Sequence, residues 1–413
     1  MRTAGMTHQF SIRNTFISLK YPNYRLWFFG QLVSLVGTWT QTTAQGYLIY
    51  ELTKSPEYLG YASFANGLPS WLFTLYAGAI ADRVPRRTLM VITQSSMLIL
   101  AFVLAALTFT HSIQWWHILI LTFLLGISNA FDAPARQAFV LEMVDREDMT
   151  NAIALNSTMF NSALVLGPAF GGLVYAWVGP GWCFTINGIS FIAVIIALLL
   201  MKLRPFVPAQ SKGDALADVR EGMKYVMGHS AVRTLIVDLF IFSIFGFGFV
   251  TLLPAWAVAV LGGDATTNGF LQAARGFGSL MGALMVATMG RIKFHGKIWT
   301  INSILLPITM VIFAYMRSLI PSLVVIACAG FATMMVLNTT NAMVQNRIAD
   351  EMRGRVMGIY TFFFFGAFPL SSLIAGWAAD KIGEPTTVII SAIILFIFVI
   401  WVAWRQPSLR AME

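Results

Sequence analysis

A chain of 413 residues that is 57% hydrophobic and only 11% charged, with a mean hydropathy of +0.73, carries more apolar surface than one soluble core can hide. Its net charge of +9 is spread over short loops and forms no continuous basic patch, which argues against a nucleic-acid partner. Cys183 and Cys328 lie in apolar stretches and make neither a disulfide framework nor a metal cluster. No HExxH motif occurs, and the segment Gly290 to Lys297 has the wrong spacing for a phosphate-binding loop, so no cofactor and no ATP-driven engine is expected.

The Lys and Arg residues avoid a series of long apolar stretches. None occurs between Arg87 and Arg136, or between Arg146 and Lys202. Each gap accommodates two helical crossings of about 20 residues. Hydropathy predicts twelve crossings, centred near Val36, Pro69, Leu100, Leu124, Val165, Ile192, Ile244, Ser279, Ile308, Thr333, Phe365 and Phe396. Basic residues then crowd one side, from Arg2, Arg13, Lys20 and Arg25 through Arg83, Arg86 and Arg87 to Arg405 and Arg410. The other side keeps Lys54, Arg317 and Lys381. The positive-inside rule places both termini in the cytoplasm of a multi-pass cell-membrane protein. No cleavable signal peptide is expected, because the polar start runs into the first crossing without a small-residue cleavage site.

In chain order, the first crossing carries Gln31, Ser34, Thr38, Gln41 and Gln45, spaced three, four, three and four apart. They fall in one arc of about 100°, and a polar stripe of this kind must face protein or a water-filled cavity. Asp82 ends the second crossing, followed at once by Arg83, Arg86 and Arg87. A carboxylate there can cap a helix N-terminus and an Arg can reach an acid across the bundle, although the basic residues also serve simply to set topology. On the fifth crossing Ala163, Gly167 and Gly171 recur every four residues beside Gly172. Such a stripe lets a neighbouring helix approach, while Pro168 removes the backbone donor to Leu164.

The longest polar stretch runs from Leu203 to Ser230 and places Leu216, Val219, Met223 and Val226 on one face, as in a helix lying on the membrane surface. Asp238 on the seventh crossing continues into a face bearing Phe242, Phe245 and Phe249. It suits either a proton carrier or a solvated residue near the helix end. Gln272, Arg275 and Ser279 share a face of the eighth crossing, and Arg275 is the one basic residue placed inside a crossing. An intramembrane charge is a functional candidate by default. Three roles suit Arg275: attracting an anionic substrate group, pairing with Asp238, or snorkelling outward. Phe362 to Phe365 and Phe368 on the eleventh crossing suit either large flat ligands or lipid.

Gly126 matches Gly330, Ala138 matches Ala342, Asp145 matches Asp350 and Gly179 matches Gly383 at a common offset of about 204, half the chain. The expected architecture is an all-α membrane protein of twelve transmembrane helices in two pseudo-symmetric six-helix bundles. The expected divisions are an N-terminal bundle (1–202), a cytoplasmic linker with an amphipathic helix (203–230) and a C-terminal bundle (231–413).

GAIADRVPRR from Gly78 resembles the loop signature of the major facilitator superfamily, and LGPAFGG from Leu166 to Gly172 resembles its antiporter signature. YPNYRLWFFGQLVSLVGTWTQ, LTKSPEYLG and RGRVMGIY from Arg353 resemble its drug and siderophore exporter branch, which contains the enterobactin and macrolide exporters. The resemblance implies a secondary active exporter, not an enzyme, that moves a small amphipathic molecule outward by alternating access in exchange for protons. It implies a monomer, a latch of Asp82, Arg83 and Arg86 with Asp132 as the acid, and a gasket of Gly167, Pro168, Gly171 and Gly172. Asp82 would cap a helix starting near Gly354, and Pro85 stands where the family usually has Gly. The first helix of that superfamily lines the central cavity, so the resemblance implies that Gln31, Ser34, Thr38, Gln41 and Gln45 face it, while the residues themselves offer Gln272, Arg275 and Ser279 as further cavity candidates and Asp238, with Asp132 second, as the proton-coupling candidate. Two other readings are a lipid or lysolipid flippase on the same fold and a membrane receptor or assembly partner that transports nothing.

Overall fold

A computed structural model describes residues 16–81, 83–203, 215–288 and 294–406. Helices account for nearly all of these residues, as a hydrocarbon solvent requires when every backbone N–H and C=O must be paired within its own segment. The first half contains α1 (Pro22–Thr53), α2 (Pro56–Ala81), α3 (Arg86–Phe109), α4 (Trp115–Val140), α5 (Met149–Val178) and α6 (Pro180–Leu200). A shorter helix, α7 (Ala215–Gly228), leads into α8 (Ser230–Thr251), which continues through a π-helical turn at Trp256–Val260. The second half is completed by α9 (Ala265–Thr288), α10 (His295–Tyr315), α11 (Leu319–Gln345), α12 (Arg353–Ile382) and α13 (Glu384–Arg405).

Among the described residues, nine helical segments are both long and apolar enough to cross a membrane. Helices α1, α2 and α9 are equally long but carry more small and polar residues, and they are packed among the others. Within the first half, α1 lies against α5 and α6, α2 against α4, and α3 against α4 and α6. Within the second half, α8 lies against α12, α9 against α11, and α10 against α11 and α13.

The duplication legible in the sequence recurs in the backbone. Gly179 ends α5 at φ +90° and Gly383 ends α12 at φ +82°, each beside a proline in the first turn of the next helix. A positive φ favours glycine, and proline is pre-set for a helix start, so both corners turn the chain sharply. Gly126 sits against the backbone of Asn66 as Gly330 sits against that of Arg275. A Lys-Tyr pair precedes each half, Lys20–Tyr21 and Lys224–Tyr225. The Tyr21 hydroxyl donates to Asp145 (3.1 Å) and Asp148 (2.7 Å), and the Tyr225 hydroxyl accepts from the backbone N–H of Ala349 (3.3 Å).

The halves meet along two helix pairs, α2 with α12 and α5 with α9. In each pair the backbones touch because glycine stands at the contact. A side-chain carbon on Gly172 would lie 2.6 Å from the Ala265 carbonyl oxygen, and one on Gly376 would lie 2.8 Å from that of Pro56. Gly60 and Gly276 make the same approach, to Ser372 and Leu164. All these contacts lie between mid-helix and the end remote from the chain termini, here called the far face. Toward the opposite, terminal face, Gly78 of α2 and Gly354 and Gly358 of α12 have open space beside them. Gly172→Leu or Gly376→Leu is therefore expected to push the halves apart at the far face. Maleimide labelling of an Asn268→Cys reporter, with Cys183 and Cys328 replaced, should then accelerate several-fold in protein that still melts cooperatively. Unchanged labelling would refute the glycine contacts as the closure.

Candidate translocation site

The polar stripe of α1 lies inside the first half. Gln41 accepts from Asn187 Nδ2 of α6 (2.8 Å), and Gln45 donates to the Thr122 hydroxyl of α4. Gln31 and Ser34 are both 2% exposed, Gln31 Oε1 is buried without a hydrogen-bond partner, and Thr38 is half-buried with its carbonyl accepting from Thr42. The polar ends of Gln41 and Gln45 are thus engaged by neighbouring helices of the first half. Periodicity shows that a stripe avoids lipid, but a packed bundle and a cavity satisfy that demand equally well. Asn187, an isolated amide in an apolar run, was the readable signal of its partner.

The small-residue stripe of α5 divides in two. Gly167 and Gly171 admit Trp39 and Thr40 of α1, and Thr40 Oγ1 donates to the Gly167 carbonyl (3.1 Å), so this part is packing within the first half. Gly172 and the carbonyl of Pro168 face α9 across the junction.

On α9, Gln272 Nε2 donates to Asn268 Oδ1 (3.2 Å), Asn268 reaches the Thr43 carbonyl of α1 (3.5 Å), and Ser279 Oγ donates to the Gly330 carbonyl (3.3 Å). Arg275 lies among them, half-buried, with Nε buried and lacking a hydrogen-bond partner. Asp238, the sequence's candidate counter-ion, is elsewhere. Both its carboxylate oxygens are buried without partners, as is Ser303 Oγ. These groups line a cavity of about 10 Å³ of water-accessible space together with Phe242, Trp299, Val336 and Leu395. That is room for about one water-sized guest. Phe245 faces a separate groove between α8, α12 and α13.

At the terminal face Asp82 lies outside the described residues, as do Arg2, Arg13, Arg204, Pro205, Pro208, Lys212, Arg291, Lys293 and Arg410. Arg83 is exposed. Arg86 pairs with Glu142, and Asp132, which the family resemblance assigned to Arg86, instead accepts from Thr93 (2.8 Å) and Gln94 (3.0 Å) and faces Arg136 at 3.8 Å. Lys20 bridges to Asp148 at 2.6 Å, and that hydrogen bond holds the Lys20 ammonium above its ordinary pKa. Arg353 pairs with Asp350 (2.6 Å), and Arg355 with Glu221 of α7 (3.0 Å). Among the described residues these terminal-face ion pairs all stay on one side of the junction. At the far face Ser55 Oγ donates to Asp380 at 2.5 Å, joining α2's approach to the end of α12.

Residues 13–413 match the family described as transmembrane secretion effector. The staphyloferrin A transporter of Staphylococcus aureus is 25% identical over 87% of this chain and 90% of its own length. The multidrug efflux pump Tap of Mycolicibacterium fortuitum is 27% identical over 93% and 96%. The fold is shared with a bacterial homologue of the human lysosomal transporter Spinster, at 12% identity and a TM-score of 0.71, covering 97% of this chain and 98% of that one. With a match that spans nearly its whole length, the chain belongs to the transmembrane secretion effector family of major facilitator transporters, and its relatives include drug and siderophore exporters.

Proposed function

We propose that the protein is a secondary active exporter of a small amphipathic molecule, working by alternating access across the cell membrane, with the basic terminal face in the cytoplasm. The observation that carries this reading is the asymmetry of the junction. The halves are held by backbone contact from mid-helix to the far face, whereas Gly78, Gly354 and Gly358 toward the terminal face have open space beside them. In this reading a site at mid-depth opens to the cytoplasm in one state, and rocking the two halves exposes it outside in the other. The efflux function of the relatives gives the direction. Asp82, Arg83 and Arg86, with Asp132, are the proposed latch of the opposite state, in which the terminal face closes.

Protons are the proposed driving ion and Asp238 their carrier. A buried ionised carboxylate without a partner costs several kcal/mol, and a proton removes that charge without needing more room than the cavity offers. Efflux from proteoliposomes should follow an imposed pH gradient without ATP and collapse with a protonophore. Asp238→Asn should keep downhill movement of substrate and lose uphill efflux by roughly tenfold or more. Uphill efflux at the wild-type rate would remove Asp238 from the mechanism. Asp82→Asn should leave the melting temperature within a few degrees of wild type while cutting turnover severalfold, and normal turnover would refute the latch.

A further inference from the structure

Arg275 and Asp238 are opposite charges buried in the same half, yet they do not pair. Asp238 has its own cavity, and among the described residues no carboxylate lies within salt-bridge distance of Arg275. Arg275 is the eleventh residue of α9, so a rise of about 1.5 Å per residue puts it roughly 15 Å into the helix, near the middle of a hydrocarbon core about 30 Å thick. At that depth snorkelling is a long reach, and a charge left unpaired is costly.

The surroundings of α9 show which way Arg275 faces. Gly269 and Gly276 meet α5, and Gly278 and Gly282 meet α11. Phe270, Phe277, Met281 and Leu284 are exposed on the lipid side. At about 100° per residue, the arc opposite that lipid side holds Asn268, Gln272, Arg275 and Ser279. Arg275 therefore looks between α5 and α11 toward the interior of the molecule, where Asn268 of the same arc reaches α1. Its backbone is also held tightly, since Gly330 brings α11 against the Arg275 carbonyl and Gly276 brings α5 against the adjacent turn. The guanidinium thus starts from a fixed backbone position near mid-helix.

We infer that Arg275 is the recognition site for an anionic group of the substrate, and that the exported molecule carries a carboxylate or similar planar oxyanion on an apolar body. This rests on the exporter reading above and names its substrate class. The guanidinium fork suits a planar oxyanion, and a fixed backbone reduces the ordering that binding must pay for.

The test uses two xanthene dyes of similar shape, anionic fluorescein and cationic rhodamine 123, with the full-length protein in detergent and in proteoliposomes. Wild type should bind fluorescein more tightly than rhodamine 123. Arg275→Gln should weaken fluorescein by roughly tenfold or more, the scale of one charge-assisted hydrogen bond, and change rhodamine 123 by less than about twofold. If Arg275→Gln fails to fold, Arg275→Lys decides, because it keeps the charge and loses the fork, so a fall in the fluorescein-to-rhodamine preference supports the site. Equal loss of both dyes, unchanged fluorescein binding, or no fluorescein binding by wild type overturns it. Arg275-dependent binding without dye flux in vesicles would retain the site and discard the exporter reading. Flux of fluorescein indifferent to Arg275 would do the reverse.

Discussion

Everything in this molecule depends on two helix pairs whose backbones touch. In lipid there is no hydrophobic gain from bringing helices together, so association rests on close packing, and close packing across the junction depends on residues without side chains. Gly60 and Gly376 serve α2 and α12, and Gly172, Gly269 and Gly276 serve α5 and α9. These glycine contacts run from mid-helix to the far face. Asn268 and Ser55 can cross the junction by hydrogen bonding only because the backbones have already been brought together there.

The placement of charge follows the same division. At the terminal face Arg86 pairs with Glu142 and Arg353 with Asp350, each within its own half. In the interior the first half buries Asp132 with two donors and a nearby Arg136. The second half buries Asp238 and Arg275 with neither matched to the other. A satisfied buried charge needs nothing further, whereas an unsatisfied one favours any state or guest that neutralises it. The first half is electrostatically finished and the second is not.

The helical architecture was legible because twenty-residue apolar runs and the distribution of Lys and Arg are long-range signals that few local details disturb. The spacing of Gln272, Arg275 and Ser279 marks one face of α9, but not what that face meets. The partner of Gln41 was not legible either, since a stripe that shuns lipid reads the same whether Asn187 or water lies opposite. Arg86 illustrates a second limit. Arg86 pairs with Glu142, while Asp132 is already engaged by Thr93, Gln94 and Arg136, and that tertiary arrangement is not marked in the loop sequence. Gly60 and Gly376 lie 316 residues apart, and nothing local marks either one as the other's partner.

The repeated Lys-Tyr pair carries a further consequence. The turn Ile17–Lys20 braces the start of α5 through Tyr21, Lys20 and Ser18, and α7 braces the start of α12 through Tyr225 and Glu221. Each half thus has its own foot, made from the segment that immediately precedes it. The connection between the halves is then less a tether than the second foot, and the molecule is a dimer of unlike partners written as one chain. Such partners can complete their own packing one after the other as the chain emerges, and meet only once both are formed.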